Sequence, residues 1–132
     1  MPGVRMMLFG ILIALLLPAC GTLGWYGGSS RSGHAEQDLE QAVKIYEDGD
    51  YATALVILQH AQQNGLRSKH DQARVYKYLA FIHCVSEREK QCRDAFKKAF
   101  EIDPAFNLQP AEAGHPVWGP VFRSVQSSRS AK

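Results

Sequence analysis

The sequence ARVYKYLAFIHCVSEREKQCRDAFKKAFEIDPAF, residues 73–106, decides the fold of this chain. Two segments in which apolar residues recur at helical spacing flank a polar turn at residues 86–89. Pro104 ends the second segment, because the residue before a proline disfavours the helical conformation. The stretch therefore predicts a helical hairpin. Its apolar positions are Val75, Tyr76, Leu79, Ala80 and Ile82 in the first helix and Cys92, Phe96, Ala99 and Phe100 in the second.

A second hairpin is predicted ahead of this one. Gly49 suits the left-handed position after a helix, and Asp50 suits the cap of the helix that follows. No segment alternates with the two-residue period of a strand, so we expect an all-α fold. The apolar faces of this hairpin are Leu39, Ala42, Val43 and Tyr46, and then Tyr51, Ala54, Leu55, Leu58 and Ala61.

Small residues at fixed offsets give the hairpins a family resemblance. The stretch 73–106 resembles the tetratricopeptide repeat, a helical hairpin of about 34 residues, and a weaker copy starts at Ala35. The resemblance implies a short α-solenoid of two hairpins, in which Cys92 stands where the repeat usually has alanine. An arbitrary helical bundle is the alternative. The positions that match the repeat are Ala80, Phe96, Ala99 and Pro104.

The C-terminal segment contains one more apolar face at helical spacing, formed by Trp118, Val121, Phe122 and Val125. Repeat stacks generally need about three units for stability, and two hairpins alone fall short. We therefore expect this segment to form a fifth helix that covers the open end of the second repeat. The alternative is that Trp118 and Phe122 are exposed and dock a partner, because aromatic residues are typical interface anchors.

The pattern of the N-terminal segment is typical of a secretory signal peptide. Its apolar run, residues 6–17, is too short to cross a bilayer, which needs about 20 residues, and fits a signal-peptide core of about 7–15. The following stretch 17–20, Leu-Pro-Ala-Cys, resembles the lipobox of bacterial lipoproteins. The resemblance implies cleavage before Cys20, acylation of that residue, and, with Gly21 next, an anchor in the outer membrane facing the periplasm. A signal peptide cut elsewhere and a short uncleaved anchor are the alternatives.

This interpretation divides the chain into four parts. They are a signal peptide at 1–19, a lipidated flexible linker at 20–34, a helical domain at 35–126 and a disordered tail at 127–132. The chain contains three cysteines. With Cys20 acylated, Cys84 and Cys92 remain, and they face each other across the predicted hairpin turn. An oxidising compartment favours a disulfide between them; two buried thiols are the alternative.

Composition and motifs give little support for catalysis. The formal net charge of +2 argues against nucleic-acid binding, which requires a basic face. The histidines show no metal-binding spacing, and no phosphate loop or redox motif is present. His83 is expected to be a hydrogen-bonded core residue. We therefore predict a protein that is not an enzyme, with no cofactor, no metal and no small-molecule substrate.

Residues 92–123 resemble lipoproteins associated with type VI secretion systems. The resemblance implies an accessory scaffold or assembly adaptor that binds subunits of the envelope-spanning complex. A pilotin-like assembly factor for a pilus or secretin channel and an activator of a cell-wall enzyme are the alternatives. A concave groove lined by the first helix of each hairpin would bind the partner. Its predicted residues are Gln41, Lys44 and Ile45 from the first repeat and Lys77, Tyr78 and Phe81 from the second.

Overall fold

The structure is a computed structural model that describes residues 29–131, with side chains from residue 33 onward. This part of the chain is helical and contains no strand. Its six helices are α1 (Ser29–Glu47), α2 (Tyr51–Asn64), α3 (Lys69–Val85), α4 (Glu89–Ile102), the single turn α5 (Pro110–Ala113) and α6 (Trp118–Ser130).

The helices pack as two stacked hairpins with a cap. The closest packing joins α1 to α2 and α3 to α4, and α3 also lies against both helices of the first hairpin. The helix α6 lies against both helices of the second hairpin, α3 and α4, as α3 lies against both helices of the first. It therefore takes the place that the first helix of a third hairpin would occupy. The predicted all-α fold, with two hairpins and a C-terminal capping helix, is confirmed.

Capping residues set the ends of the helices where the sequence predicts them. Gly49 and Gly65 have φ values of 85° and 78°, the left-handed conformation that glycine adopts without steric cost. Asp50 caps α2, because its Oδ1 accepts a hydrogen bond from the Thr53 amide at 3.1 Å. Ser68 caps α3, because its Oγ accepts a hydrogen bond from the Asp71 amide at 2.9 Å. The chain therefore reverses direction at short, well-defined turns.

The core lies between the hairpins and continues under α6. Ala80 and Ala99 are fully buried, and their small side chains let neighbouring helices approach closely. The large side chains around them interlock at the density typical of protein interiors. The largest fully buried ones include Leu39, Leu58, Val75, Ile82, Phe81, Phe96 and Phe122.

A disulfide closes the second hairpin at its turn. The Sγ atoms of Cys84 and Cys92 lie 1.99 Å apart, and the Cα atoms lie 5.1 Å apart. Both cysteines are buried in the core. Of the two alternatives for this pair, the structure therefore shows the disulfide, and the bond fixes the end of α3 to the first turn of α4.

Both predicted boundaries of the helical domain are wrong. The helix α1 begins at Ser29, inside the predicted linker 20–34, because extending a helix that is already anchored costs far less than nucleating one. The helix α6 continues to Ser130, inside the predicted tail 127–132. There the guanidinium of Arg129 lies over the Phe100 ring, 4.1 Å from its centroid, and holds the last turn against α4.

The predicted signal peptide, the acylation of Cys20 and the first part of the linker lie outside the described residues. Within residues 29–131 no helix combines the length and the apolar character that crossing a bilayer requires.

Candidate partner-binding surface

The structure separates the predicted partner-binding residues into an exposed set and a buried set. Gln41 and Lys44 are exposed on α1, and Ile45 is half-buried against the core. On α3, Tyr78 is half-buried, whereas the Lys77 side chain is only 12% exposed. Phe81, Trp118 and Phe122 are 2%, 7% and 2% exposed.

The buried aromatic residues cannot dock a partner, so their assignment to a binding surface is wrong. Phe81 and Trp118 stack on each other with ring centroids 4.2 Å apart, which joins α3 to α6. Phe122 packs edge-on against Phe96 at 5.3 Å and stacks on Phe100 at 5.5 Å. These contacts give α6 its capping function, which is the first of the two interpretations that the sequence allows.

A cluster of three tyrosines lies beside the predicted groove. The Tyr46 ring lies 5.3 Å from the Tyr51 ring and 5.1 Å from the Tyr78 ring, measured between centroids. We name these three residues the tyrosine face. Tyr51 is 38% exposed, and the other two are half-buried. One member comes from each of α1, α2 and α3, so both hairpins contribute to this surface.

Sequence reasoning placed Tyr46 and Tyr51 among the core residues and therefore missed them as surface residues. Both stand at the edge of an apolar stripe, where the ring is buried and the polar tip reaches water. Tyrosine commonly takes such a position, because it has an apolar ring and a polar tip. The residue type at the edge of the stripe could therefore have identified both residues as surface residues.

Burial raises the pKa of two of the three tyrosine hydroxyls. Burial raises the pKa of Tyr46 to about 12, and the neighbouring Tyr51, Tyr78 and Glu112 add to the effect. Burial also raises the pKa of Tyr78, and Glu112 again contributes. Among the described residues, neither hydroxyl makes a hydrogen bond to a side chain or to the backbone. Both groups are therefore available as neutral donors and acceptors.

Charged residues border the tyrosine face. The Arg74 guanidinium on α3 binds Oε1 of Glu40 on α1 at 2.7 Å and Oδ1 of Asp71 at 3.2 Å, which ties the two hairpins together. Lys44 makes no ion pair within the described part of the chain. It lines a shallow hollow of about 390 Å³ along α1, together with Gln41 and Glu40. Glu40, which lines this hollow, is the residue that binds Arg74 of α3.

The connector between α4 and α6 occupies part of the predicted groove. Lys77 extends from α3 to Oε1 of Glu112 at 2.7 Å, and its Nζ also lies 4.7 Å from the Tyr78 ring centroid. The backbone carbonyl of Glu112 accepts a hydrogen bond from Nε1 of Trp118 at 2.8 Å. Lys77 is therefore engaged inside the protein, and the prediction that it lines an open groove is wrong.

Two histidines, His60 and His83, contribute little to a functional site. His60 Nδ1 lies 2.8 Å from Oδ2 of Asp38 and links α2 to α1 at an exposed edge. The Nδ1 atom of His83 is buried without a hydrogen-bond partner among the described residues, so the expected hydrogen bond of this residue is absent. Burial lowers the pKa of His83, and nearby Arg88 adds to the effect. Within the described range, no group of three or more histidine, cysteine or acidic side chains is placed to hold a metal ion.

Among residues 29–131 the geometry thus leaves a surface of tyrosine rings at the junction of the two hairpins, with the Tyr46 and Tyr78 hydroxyls unpaired. Comparisons of the chain with models of protein families, with curated proteins and with solved structures returned no match.

Proposed function

We propose that this protein is a helical adaptor that binds a subunit of an envelope-spanning machine. The tyrosine face supports this proposal most directly. Its rings offer contact area on a rigid base, because helices of both hairpins hold them in place. Tyrosine is enriched at protein interfaces, where it combines apolar area with a hydrogen-bonding tip. Gln41 and Lys44 are also exposed on α1 but form a separate surface, since Lys44 lies two positions before Tyr46 and helix residues two apart do not share a face.

The proposal places the adaptor at the outer membrane, facing the periplasm and held by acylated Cys20. The similarity of residues 17–20 to a lipobox supports this location. The disulfide between Cys84 and Cys92 is compatible with it, since disulfides persist in the oxidising periplasm.

We propose further that the machine is a type VI secretion system, in which this protein is an accessory component. The similarity of residues 92–123 to lipoproteins associated with such systems supports this choice. The proposed partners are subunits of the trans-envelope complex, bound through Tyr46, Tyr51 and Tyr78.

The experiment is a detergent purification of the tagged full-length protein from its native outer membranes, with the recovered proteins identified by mass spectrometry. The test variant combines Tyr46→Phe and Tyr78→Phe, which removes both free hydroxyls and keeps the rings. The matched control is Tyr76→Phe, because the hydroxyl of Tyr76 binds Gln62 away from this surface. A Cys20→Ser sample separates tethered partners from chance contacts.

Type VI envelope subunits that are recovered with the wild type and the control, and several-fold less with the double variant, would support the proposal. Recovery of pilus or secretin channel subunits instead would assign the protein to the pilotin-like class. Recovery of a cell-wall enzyme would assign it to the activators. Equal recovery by all variants would exclude the Tyr46 and Tyr78 hydroxyls as binding groups and leave only ring contacts to carry the interaction.

A further inference from the structure

A cleft of about 680 Å³ lies between α4 and α6, away from the tyrosine face. Its volume is within the range of about 300–1,000 Å³ that is typical of ligand sites. None of the residues assigned above to partner binding contributes to it. The lining residues include Arg93, Lys97, Phe100, Val125 and Arg129.

The cleft has an apolar floor and a basic rim. Phe100 and Val125 form the floor and are 3% and 2% exposed. Arg93 and Lys97 on α4 and Arg129 on α6 form the rim. One carboxylate, that of Glu101, also lines the cleft, and it is engaged by Lys98 at 3.2 Å.

One of the three rim cations has no carboxylate partner within the described part of the chain, and a second has only a long ion pair. The Arg129 guanidinium stacks on Phe100 and contacts the Pro104 carbonyl at 3.5 Å, and no described carboxylate lies within ion-pair distance of it. The Lys97 Nζ lies 3.9 Å from Oδ1 of Asp94, at the outer limit for an ion pair. Arg93, in contrast, binds Glu89 at 2.9 Å and donates to the Ser124 hydroxyl at 3.0 Å.

We propose that this cleft binds an acidic segment of a partner protein. A carboxylate of that segment lies between Lys97 and Arg129, and a neighbouring apolar side chain packs on the exposed ring of Pro104, which also lines the cleft. Hydrogen bonds between a guanidinium and a carboxylate are charge-assisted and geometrically specific, which suits Arg129 to this task. The Pro104 ring favours a peptide that pairs each acid with a hydrophobic residue over a simple inorganic anion.

The cleft makes the protein two-sided. The tyrosine face is built from α1, α2 and α3, whereas the cleft is built from α4 and α6. Two different segments could therefore bind at the same time, which is the property that an adaptor requires.

The test measures fluorescence anisotropy with the full-length protein in detergent micelles. The probe is a fluorescein-labelled peptide in which Asp or Glu alternates with Leu, and the comparison peptide has Asn or Gln in place of the acids. The test variants are Lys97→Glu alone and Lys97→Glu combined with Arg129→Glu. The matched control is Lys69→Glu, which makes the same change of charge, since Lys69 is exposed at the start of α3, outside the cleft.

We expect the acidic peptide to bind and the neutral peptide to bind at least about tenfold more weakly, because the charges provide the recognition. Lys97→Glu should weaken binding of the acidic peptide about tenfold, and the double variant more, whereas Lys69→Glu should leave it unchanged. Added salt should weaken binding through screening. The double variant also removes the contact of Arg129 with Phe100, which helps to hold α6. Lys97→Glu alone leaves that contact in place, so the single variant tests the proposal even if the double variant loosens α6.

Three results would overturn the proposal. The first is the absence of peptide binding. The second is equal weakening by Lys69→Glu, which would mean that net charge alone drives the interaction. The third is displacement of the peptide by inorganic phosphate or by phosphatidylglycerol vesicles at lower concentration than by unlabelled peptide, which would identify a phosphate or a lipid headgroup as the occupant. The Tyr46→Phe and Tyr78→Phe double variant should bind the peptide normally, so failure of the cleft and failure of the tyrosine face are distinguishable.

Discussion

The ammonium group of Lys77 lies 2.7 Å from Oε1 of Glu112, and this ion pair fastens the connector after α4 onto α3. The second carboxylate oxygen of Glu112 accepts a hydrogen bond from the Gln109 amide at 2.9 Å. Its backbone carbonyl accepts one from Trp118 at 2.8 Å. Glu112 thus joins the connector to α3 and to the capping helix, and its bond to Gln109 also closes the first turn of the connector's own helix, α5.

Replacing Glu112 with alanine should lower the free energy of unfolding by about 2 kcal/mol. The substitution leaves the mostly buried Lys77 without its counter-ion and removes the cap on Gln109. Urea unfolding followed by circular dichroism measures the change. Glu101→Ala is the matched control, because its pair with Lys98 is half-exposed and should contribute less than about 1 kcal/mol. Equal effects of the two substitutions would contradict the central role of Glu112.

Gly119→Ala should destabilise the protein by about 1–3 kcal/mol, because the added methyl group overpacks the start of α6. A Cβ atom at this position would lie 2.6 Å from the backbone carbonyl oxygen of Ala113. The connector would have to move, and the hydrogen bond from Trp118 to Glu112 would weaken with it. Gly33→Ala is the control, since a Cβ atom there would meet nothing within 4 Å. Alanine should be neutral or stabilising at Gly33, where a glycine in the helix costs about 0.5–1 kcal/mol. A stable Gly119→Ala variant would show that the connector yields easily.

Trp118→Ala should cost about 3–5 kcal/mol of unfolding free energy, as expected for removing a large aromatic side chain from a core. The stacked contact with Phe81 and the hydrogen bond to Glu112 are both lost. Chemical denaturation measures the loss. Val117→Ala is the neighbouring control, because Val117 is 45% exposed and its truncation should change stability by about 0.5 kcal/mol or less. A near-neutral Trp118→Ala would return this residue to the set of exposed docking candidates.

Reducing the disulfide should lower the free energy of unfolding by about 2.5 kcal/mol on the chain-entropy model. The two cysteines are separated by eight positions in sequence, so the bond closes a short loop. Urea unfolding with and without a reductant measures the difference, and alkylation under denaturing conditions reports which thiols are free. The Cys84→Ala and Cys92→Ala double variant should match the reduced protein and no longer respond to the reductant. A wild type that is insensitive to reduction would contradict the expectation.

Alkaline pH should destabilise the wild type relative to Tyr46→Phe. The pKa of Tyr46 is raised by burial from 10.0 to about 12, so the folded state favours the neutral phenol. The stability that this preference contributes is complete below about pH 10 and is lost as the pH rises from 10 towards 12. Unfolding free energies of the two proteins at about pH 9 and about pH 11 test the sign. A difference between the proteins that does not change with pH would show that Tyr46 ionises as freely when folded as when unfolded.

The hairpins were predictable from the sequence, because local rules determine them. Apolar spacing identified the helix faces, and Gly49, Asp50 and Pro104 marked turns that the structure places at the same positions. Ala80 and Ala99 indicated close helix contacts, and both are fully buried.

The surface was much less predictable, because it depends on which neighbour covers each helix. Phe81 has the spacing of a groove residue, yet α6 brings Trp118 onto it. The sequence predicts that Lys77 is an exposed cation, but in the structure the connector places Glu112 against it. The polar stretch at the end of α6 gave no sign that Arg129 would stack on Phe100. Each outcome results from contacts between residues distant in sequence, which no local pattern reports.

Packing between sequence-adjacent helices has a kinetic consequence. The main interhelical contacts form within each hairpin, and the others connect it to its neighbours along the chain. Such a low contact order predicts folding in the microsecond-to-millisecond range, without the slow closure of long loops. A chain that emerges N-terminus first can therefore assemble its first hairpin before the second is available, and then add each later helix to a finished surface.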